Sequence, residues 1–157
     1  MKAIAPNQNA FEFLRTVMET DGWGEIDILN DGRTLRSVFE GNQGRFWIYA
    51  KIPADLDILL CYSRCPFDAP TDILQLASEL ISHINFGLRV GNFEINMNSG
   101  EIRFKSSLDF RRVNLSDSLI LNVLLPCAYA MDQFLPAFNS LILDRKSLSL
   151  SLAKIAD

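Results

Sequence analysis

The chain has 157 residues, 48% of them hydrophobic, and a formal net charge of −4. That length suits one domain around one core, and the apolar content excludes disorder as a description of the whole. The acidic balance argues against a nucleic-acid binder whose affinity comes from a strong basic field.

The N-terminus, MKAIAPNQNAFEF, has Lys2 but no apolar stretch long enough for a signal peptide, which points to the cytoplasm. Asn7 or Asn9 is placed to cap a first helix running to about Glu19, with Phe11, Leu14, Val17 and Met18 at helical spacing on one side. TDGWG ends it. EIDILNDG then reads as a short strand or extended lead-in, closed by the turn dipeptide Asp31-Gly32.

Three strands follow, and their register is tested by matching faces. Residues directly opposite in an antiparallel pair share a face, so apolar must meet apolar. For residues 33–40 and 45–52, joined by GNQG, setting Glu40 opposite Arg45 pairs Phe39 with Phe46, Ser37 with Ile48 and Leu35 with Ala50. On the other face Val38 meets Trp47 and Arg36 meets Tyr49. For residues 56–64, a short PAD loop with Ile52 opposite Leu56 pairs Ala50 with Ile58, Ile48 with Leu60 and Phe46 with Tyr62. It also sets Lys51 against Asp57. The reading is a three-stranded meander.

CPFDAPTD breaks the sheet. Asp68 is placed as a cap, with Pro70 in the first turn of a helix that runs to about Asn85 and buries Ile73, Ala77, Leu80, Ile81 and Ile84. A hairpin comes next. Phe93, Ile95 and Met97 alternate with polar residues, as do Ile102, Phe104, Leu108 and Phe110. A tight Ser99-Gly100 turn pairs Ile95 with Phe104 and Glu94 with Lys105. A longer loop of the same parity pairs Glu94 with Arg103. Gly87 and Gly91 lead into a strand. A phosphate cradle needs glycines leading into a helix, so these read as a helix exit and a place where a side chain does not fit.

Ser116 or Asp117 caps a last long helix over residues 119–143, with bends expected at Pro126 and Pro136. Its only charge is Asp132, and its length could cross a bilayer. Its two prolines and its Asn and Gln residues favour a buried or dimer-facing helix instead, so no membrane span is expected. SLSLSLAKIAD fits either a strand or a helix. The whole chain, 1–157, reads as one domain, with a core over about 7–143 and a C-terminal extension from 144 to 157.

Chemistry is thinly represented. The three cysteines, an odd number, fit free thiols better than a disulfide framework. Cys61 and Cys65 sit four apart on one strand, roughly 13 Å, too far to bridge. Cys127 is distant in sequence. With a single histidine, His83, no ligand spacing for a metal is present. No nucleophile elbow, papain-like signature or cofactor fingerprint occurs, so no catalytic, metal or cofactor residue is assigned. The feature that stands out is the back face of the meander, with Arg36, Val38, Trp47, Tyr49, Leu59 and Cys61. A face neither core-like nor plainly solvated meets either another protein or the chain's own terminal segment. Arg36, Val38, Trp47, Tyr49 and Leu59 are the candidate partner-binding residues.

The order helix, three strands, helix, two strands, helix carries NFGLRVGNFEI, SGEIRFKSSLDF and AMDQFLPAFNSLI. From about Phe11 to Ile142 this resembles the YbjN-domain family, described as "putative bacterial sensory transduction regulator", and through it the fold of type III secretion chaperones. The family-like Asp and Pro of the last helix fall on Asp132 and Pro136, while Pro126 departs from the pattern. The resemblance implies an α+β domain, with helices on the apolar face of an antiparallel sheet. It also implies a non-catalytic module that binds a protein partner, as a homodimer, in a chaperone-like or regulatory role. The alternative is a small-ligand sensor with a pocket between the last helix and the sheet. An enzyme using Cys61 or Cys127 is the third reading.

Overall fold

The computed structural model describes residues 6–155. Helix α1 spans Pro6–Thr20. Strands β1 (Asp27–Ile28), β2 (Thr34–Glu40), β3 (Arg45–Lys51) and β4 (Ile58–Arg64) follow, then α2 (Leu74–Gly87), β5 (Asn92–Ile95), β6 (Ile102–Asp109) and α3 (Asp117–Phe138). A π-helical turn, Asn139–Leu143, and a short helix α4, Leu148–Leu152, complete the chain. The expected helix–strand order therefore holds; EIDILNDG supplies the short strand β1, SLSLSL becomes α4, and the π turn is added. The six strands form one antiparallel sheet in the order β1-β2-β3-β4-β6-β5. The hairpin β5–β6 returns beside the central strand β4, so the sheet is continuous.

The β2–β3 register is the one face matching gives, from Leu35 opposite Ala50 to Glu40 opposite Arg45. The β3–β4 register is not. Lys51 lies opposite Leu60 rather than Asp57, three residues further along. An odd slip turns every side chain of a strand to the other face. Leu59, Cys61 and Ser63 therefore point into the core, and Leu60 and Tyr62 point out. The physical reason is that residues 58–62 are apolar at both parities, so alternation gives β4 no phase. The expected Lys51–Asp57 pair does not form, and Lys51 Nζ instead reaches Asp31 at 3.1 Å. In the hairpin the longer loop is used: Glu94 faces Arg103 and Ile95 faces Ile102. Asn96 closes that loop by accepting the Gly100 N–H at 2.7 Å, which leaves Met97 exposed.

The core lies between the sheet and the helices. Phe93 is its hub, meeting Phe104, Phe134 and Phe138 with ring centroids 5.1–5.6 Å apart. Gly91 lets this packing close. It takes φ +69°, and a Cβ there would stand 2.4 Å from the Phe104 ring and 2.7 Å from the Lys105 carbonyl. Ser63, wholly buried, donates its hydroxyl to the Cys127 carbonyl at 2.6 Å and so ties β4 to α3.

The caps differ in part from expectation. Ser116 caps α3, accepting the Leu119 N–H at 3.3 Å. Helix α1 already begins at Pro6, so Asn7 and Asn9 lie inside its first turn. Helix α2 begins at Leu74, after Pro70 and Asp68, and the Asp68 carboxylate accepts from Arg64 instead. Helix α3 continues through both prolines. The carbonyl that Pro126 leaves without a helical donor belongs to Asn122, an exposed residue that water reaches, and the irregular turn falls after Pro136. SLSLSL resolves as a helix, capped by Ser147. By length and hydropathy the segment Asp117–Leu143 could cross a membrane, but half of its apolar window is buried inside this domain. Ile120, Leu124, Cys127 and Met131 on its inner side are wholly covered.

Candidate functional site: the outer sheet face

The described helices lie on one side of the sheet: α3 packs on β4 and β6, α2 on β5, and α1 and α4 on other helices. The chain's own described segments thus leave the outer face bare. Two cross-strand rows organise it. Asp27, Arg36, Tyr49, Tyr62, Lys105 and Asn92 stand in one line across all six strands. Val38, Trp47, Arg64, Arg103 and Glu94 form the next line.

Aromatic and guanidinium groups interleave along these rows. Tyr49 and Tyr62 stack with centroids 4.9 Å apart. The Arg36 guanidinium lies 4.4 Å from the Trp47 ring centroid, and that of Arg103 lies 5.1 Å from Tyr62. Trp47 remains 40% exposed. Charges pair locally. Arg36 binds Asp27 at 2.6 Å, and Glu94 takes both Arg103 at 2.9 Å and Lys105. Burial works to raise the Glu94 carboxyl, but hydrogen bonds from Lys105 and Arg103 outweigh it and hold it below the usual range. Burial pushes the Tyr62 phenol up. At one end of the face, Arg45, Trp47, Arg64 and Phe67 line a groove of about 520 Å³.

Of the sequence-assigned residues, Arg36, Val38, Trp47 and Tyr49 share this face. Leu59 does not: it is wholly buried under the helices, as is Cys61, because of the shifted β4 register. Tyr62, Arg64 and Arg103 are the residues that sequence reasoning missed here, and placing Tyr62 opposite Tyr49 was the available signal. A further missed feature is Phe86, 96% exposed at the end of α2.

The thiols stand elsewhere. Cys61 and Cys127 meet across the helix–sheet interface, and burial and then the neighbouring thiol raise Cys61 well above its ordinary value. Burial pushes Cys65 up to about 12. His83 is exposed on α2, while all three cysteines are buried. Among the described residues, no three His, Cys, Asp or Glu side chains are grouped to hold a metal. What this face offers is burial, stacking and cation–π contact.

Comparison with known families matches residues 11–140 to YbjN, described as "Putative bacterial sensory transduction regulator". The chain belongs to the YbjN family. The match takes in all six strands and ends within the π turn, leaving α4 outside. No curated protein and no solved structure matches the chain.

Proposed function

We propose that this YbjN domain is a non-catalytic regulatory module of the cytoplasm that binds a protein partner through its outer sheet face and works as a homodimer, in a chaperone-like manner. One observation carries the reading. A six-stranded sheet presents Trp47, the Tyr49–Tyr62 stack and two arginines on a face that no described helix covers. Aromatic and arginine side chains are the usual anchors of protein interfaces. The internally paired charges set orientation without creating a field for nucleic acid. The test is capture of partners by the native chain and by Trp47→Ala and Tyr49→Ala variants, with mass in solution measured alongside. Loss of the partner by folded variants supports the reading, and undiminished capture by both refutes it.

A second reading, a small-ligand sensor, draws support from the groove at Arg45, Trp47, Arg64 and Phe67. This alternative places its pocket between the last helix and the sheet, and at the C-terminal end of α3 that space holds the phenylalanine cluster around Phe93. A thermal-shift screen of anionic metabolites separates the two readings.

A further inference from the structure

The sheet has an edge that its own chain leaves half covered. In the β2–β3 hairpin, Gly41 donates its N–H to the Gly44 carbonyl at 2.8 Å, which fixes the phase of the ladder. Backbone groups alternate along an antiparallel strand, so residues 35, 37, 39 and 41 address β3 while 34, 36, 38 and 40 address the outer edge. Leu29 N–H reaching the Thr34 carbonyl at 2.9 Å agrees with this phase. Strand β1 pairs with β2 only at Leu35 and Arg36. Upstream of it the chain turns away, and the Trp23 carbonyl accepts the Ser37 hydroxyl instead of continuing the ladder. The N–H and C=O groups of Val38 and Glu40 therefore face outward with no described strand beside them.

Beside this free edge lies a groove of about 410 Å³, walled by Trp23, Phe39, Leu125 and Tyr129. Tyr129 is 60% exposed and meets the Phe39 ring edge-on at 6.2 Å. The charged residues of its lining, Asp21 and Glu40, are both acidic. Asp21 accepts the Trp23 indole N–H at 2.9 Å, and Glu40 is held by Arg45 at 2.9 Å. Residues 38–40 carry neither the proline nor the lysine that commonly blunts an exposed edge.

We propose that the outer edge of β2 at residues 38–40 docks an extended segment of a partner protein, which joins the sheet as a seventh strand and lays one apolar side chain against Trp23, Leu125 and Tyr129. Backbone groups of Val38 and Glu40 supply the hydrogen bonds. The residue opposite Phe39 shares its face and so enters the groove. A lysine or arginine close by in the segment meets the acidic rim of Asp21 and Glu40. Val38 takes part in both sites, with its side chain on the outer face and its backbone on the edge, whereas Trp47 lines only the first groove and Tyr129 only the second, so Trp47→Ala and Tyr129→Ala let the two readings fail separately.

The test is selection of random heptapeptides displayed on phage against the full chain, followed by affinity measurement on the selected synthetic peptides. Expected are peptides with a large apolar residue near a basic one and no central proline. Val38→Pro removes one outward N–H at an edge position that tolerates proline and should weaken binding about tenfold. Tyr129→Ala, an exposed change, should weaken binding to a similar degree and decides the matter if Val38→Pro fails to fold. Trp47→Ala should leave peptide affinity unchanged. The proposal is overturned by no enrichment over bare support, by equal binding to Tyr129→Ala, or by loss of peptide binding in Trp47→Ala. It is also overturned if native chains pair through this edge, seen as a halved solution mass in both Val38→Pro and Tyr129→Ala but not in Trp47→Ala.

Discussion

Tyr49 and Tyr62 lie directly opposite each other on β3 and β4 and stack with centroids 4.9 Å apart and an interplanar angle of 16°. The contact exists only in the observed β3–β4 register. Aromatic pairs of this kind contribute roughly 0.5–1.5 kcal/mol beyond the area they bury. A double-mutant cycle of Tyr49→Ala and Tyr62→Ala, followed by urea unfolding, should return a coupling of about that size. A coupling near zero contradicts the register.

Asp132 joins α3 to the β2–β3 turn. Its carboxylate accepts the Asn42 N–H at 3.0 Å and the Gln43 N–H at 2.8 Å. The turn sits so close that a Cβ on Gly41 would stand 2.0 Å from Asp132 Oδ1. Asp132→Ala should cost about 1–2 kcal/mol, the range for hydrogen bonds to a charged group discounted for exposure. Gly41→Ala should cost a similar amount alone and clearly less in the Asp132→Ala background, where the obstructing carboxylate is gone. Additive costs in chemical denaturation would show that the contact is incidental.

The thiols should be silent in the folded protein. All three are buried, and burial disfavours the thiolate of Cys61 and Cys65. A mild alkylating reagent at neutral pH should label none of the three within minutes in the native state, and all three in denaturant, as read by intact mass. Rapid single labelling of Cys61 or Cys127 in the native protein would reopen the enzyme reading.

Asp31 ties a small part of the fold's stability to pH. Its carboxylate accepts the Thr34 hydroxyl at 2.7 Å and the N–H groups of Arg33 and Thr34, both at 2.9 Å. These bonds, the Thr34 hydroxyl first, lower its pKa from 3.8 to about 2. A pKa depressed in the folded state stabilises above the unfolded value, and that contribution disappears as pH falls through the folded value. Melting temperature should therefore decline between pH 4 and pH 2 from this group. In Asp31→Asn, whose amide oxygen still accepts the turn N–H groups, that part of the decline should be missing. Identical pH profiles for the two proteins would refute the assignment.

Local patterning carried much of the fold into view. The β2–β3 register was legible because the short GNQG turn with Glu40 opposite Arg45 fixes the phase, and Phe39 with Phe46 and Leu35 with Ala50 then match. The β3–β4 register was not, because residues 46–50 and 58–62 are both apolar at both parities, the connection between them is longer and sets no phase, and the Lys51–Asp57 pair was a coincidence of charge. That one slip moved Leu59 onto the wrong face and hid Tyr62. The return of β6 beside β4 is a long-range pairing set by packing under α3, which leaves no local trace. The free edge of β2 was equally hidden, since it depends on β1 being two residues long and on where Trp23 comes to rest.

Of the two tryptophans, Trp23 is buried and Trp47 stands on the outer face. A Trp23→Phe chain therefore carries a single fluorescent reporter at the proposed contact. Acrylamide quenching of Trp47 should be efficient in the domain without its partner and fall severalfold in the complex with the captured protein partner, as an exposed indole becomes covered. Equal quenching in the free and bound states would contradict the claim that this face is where the domain meets its partner.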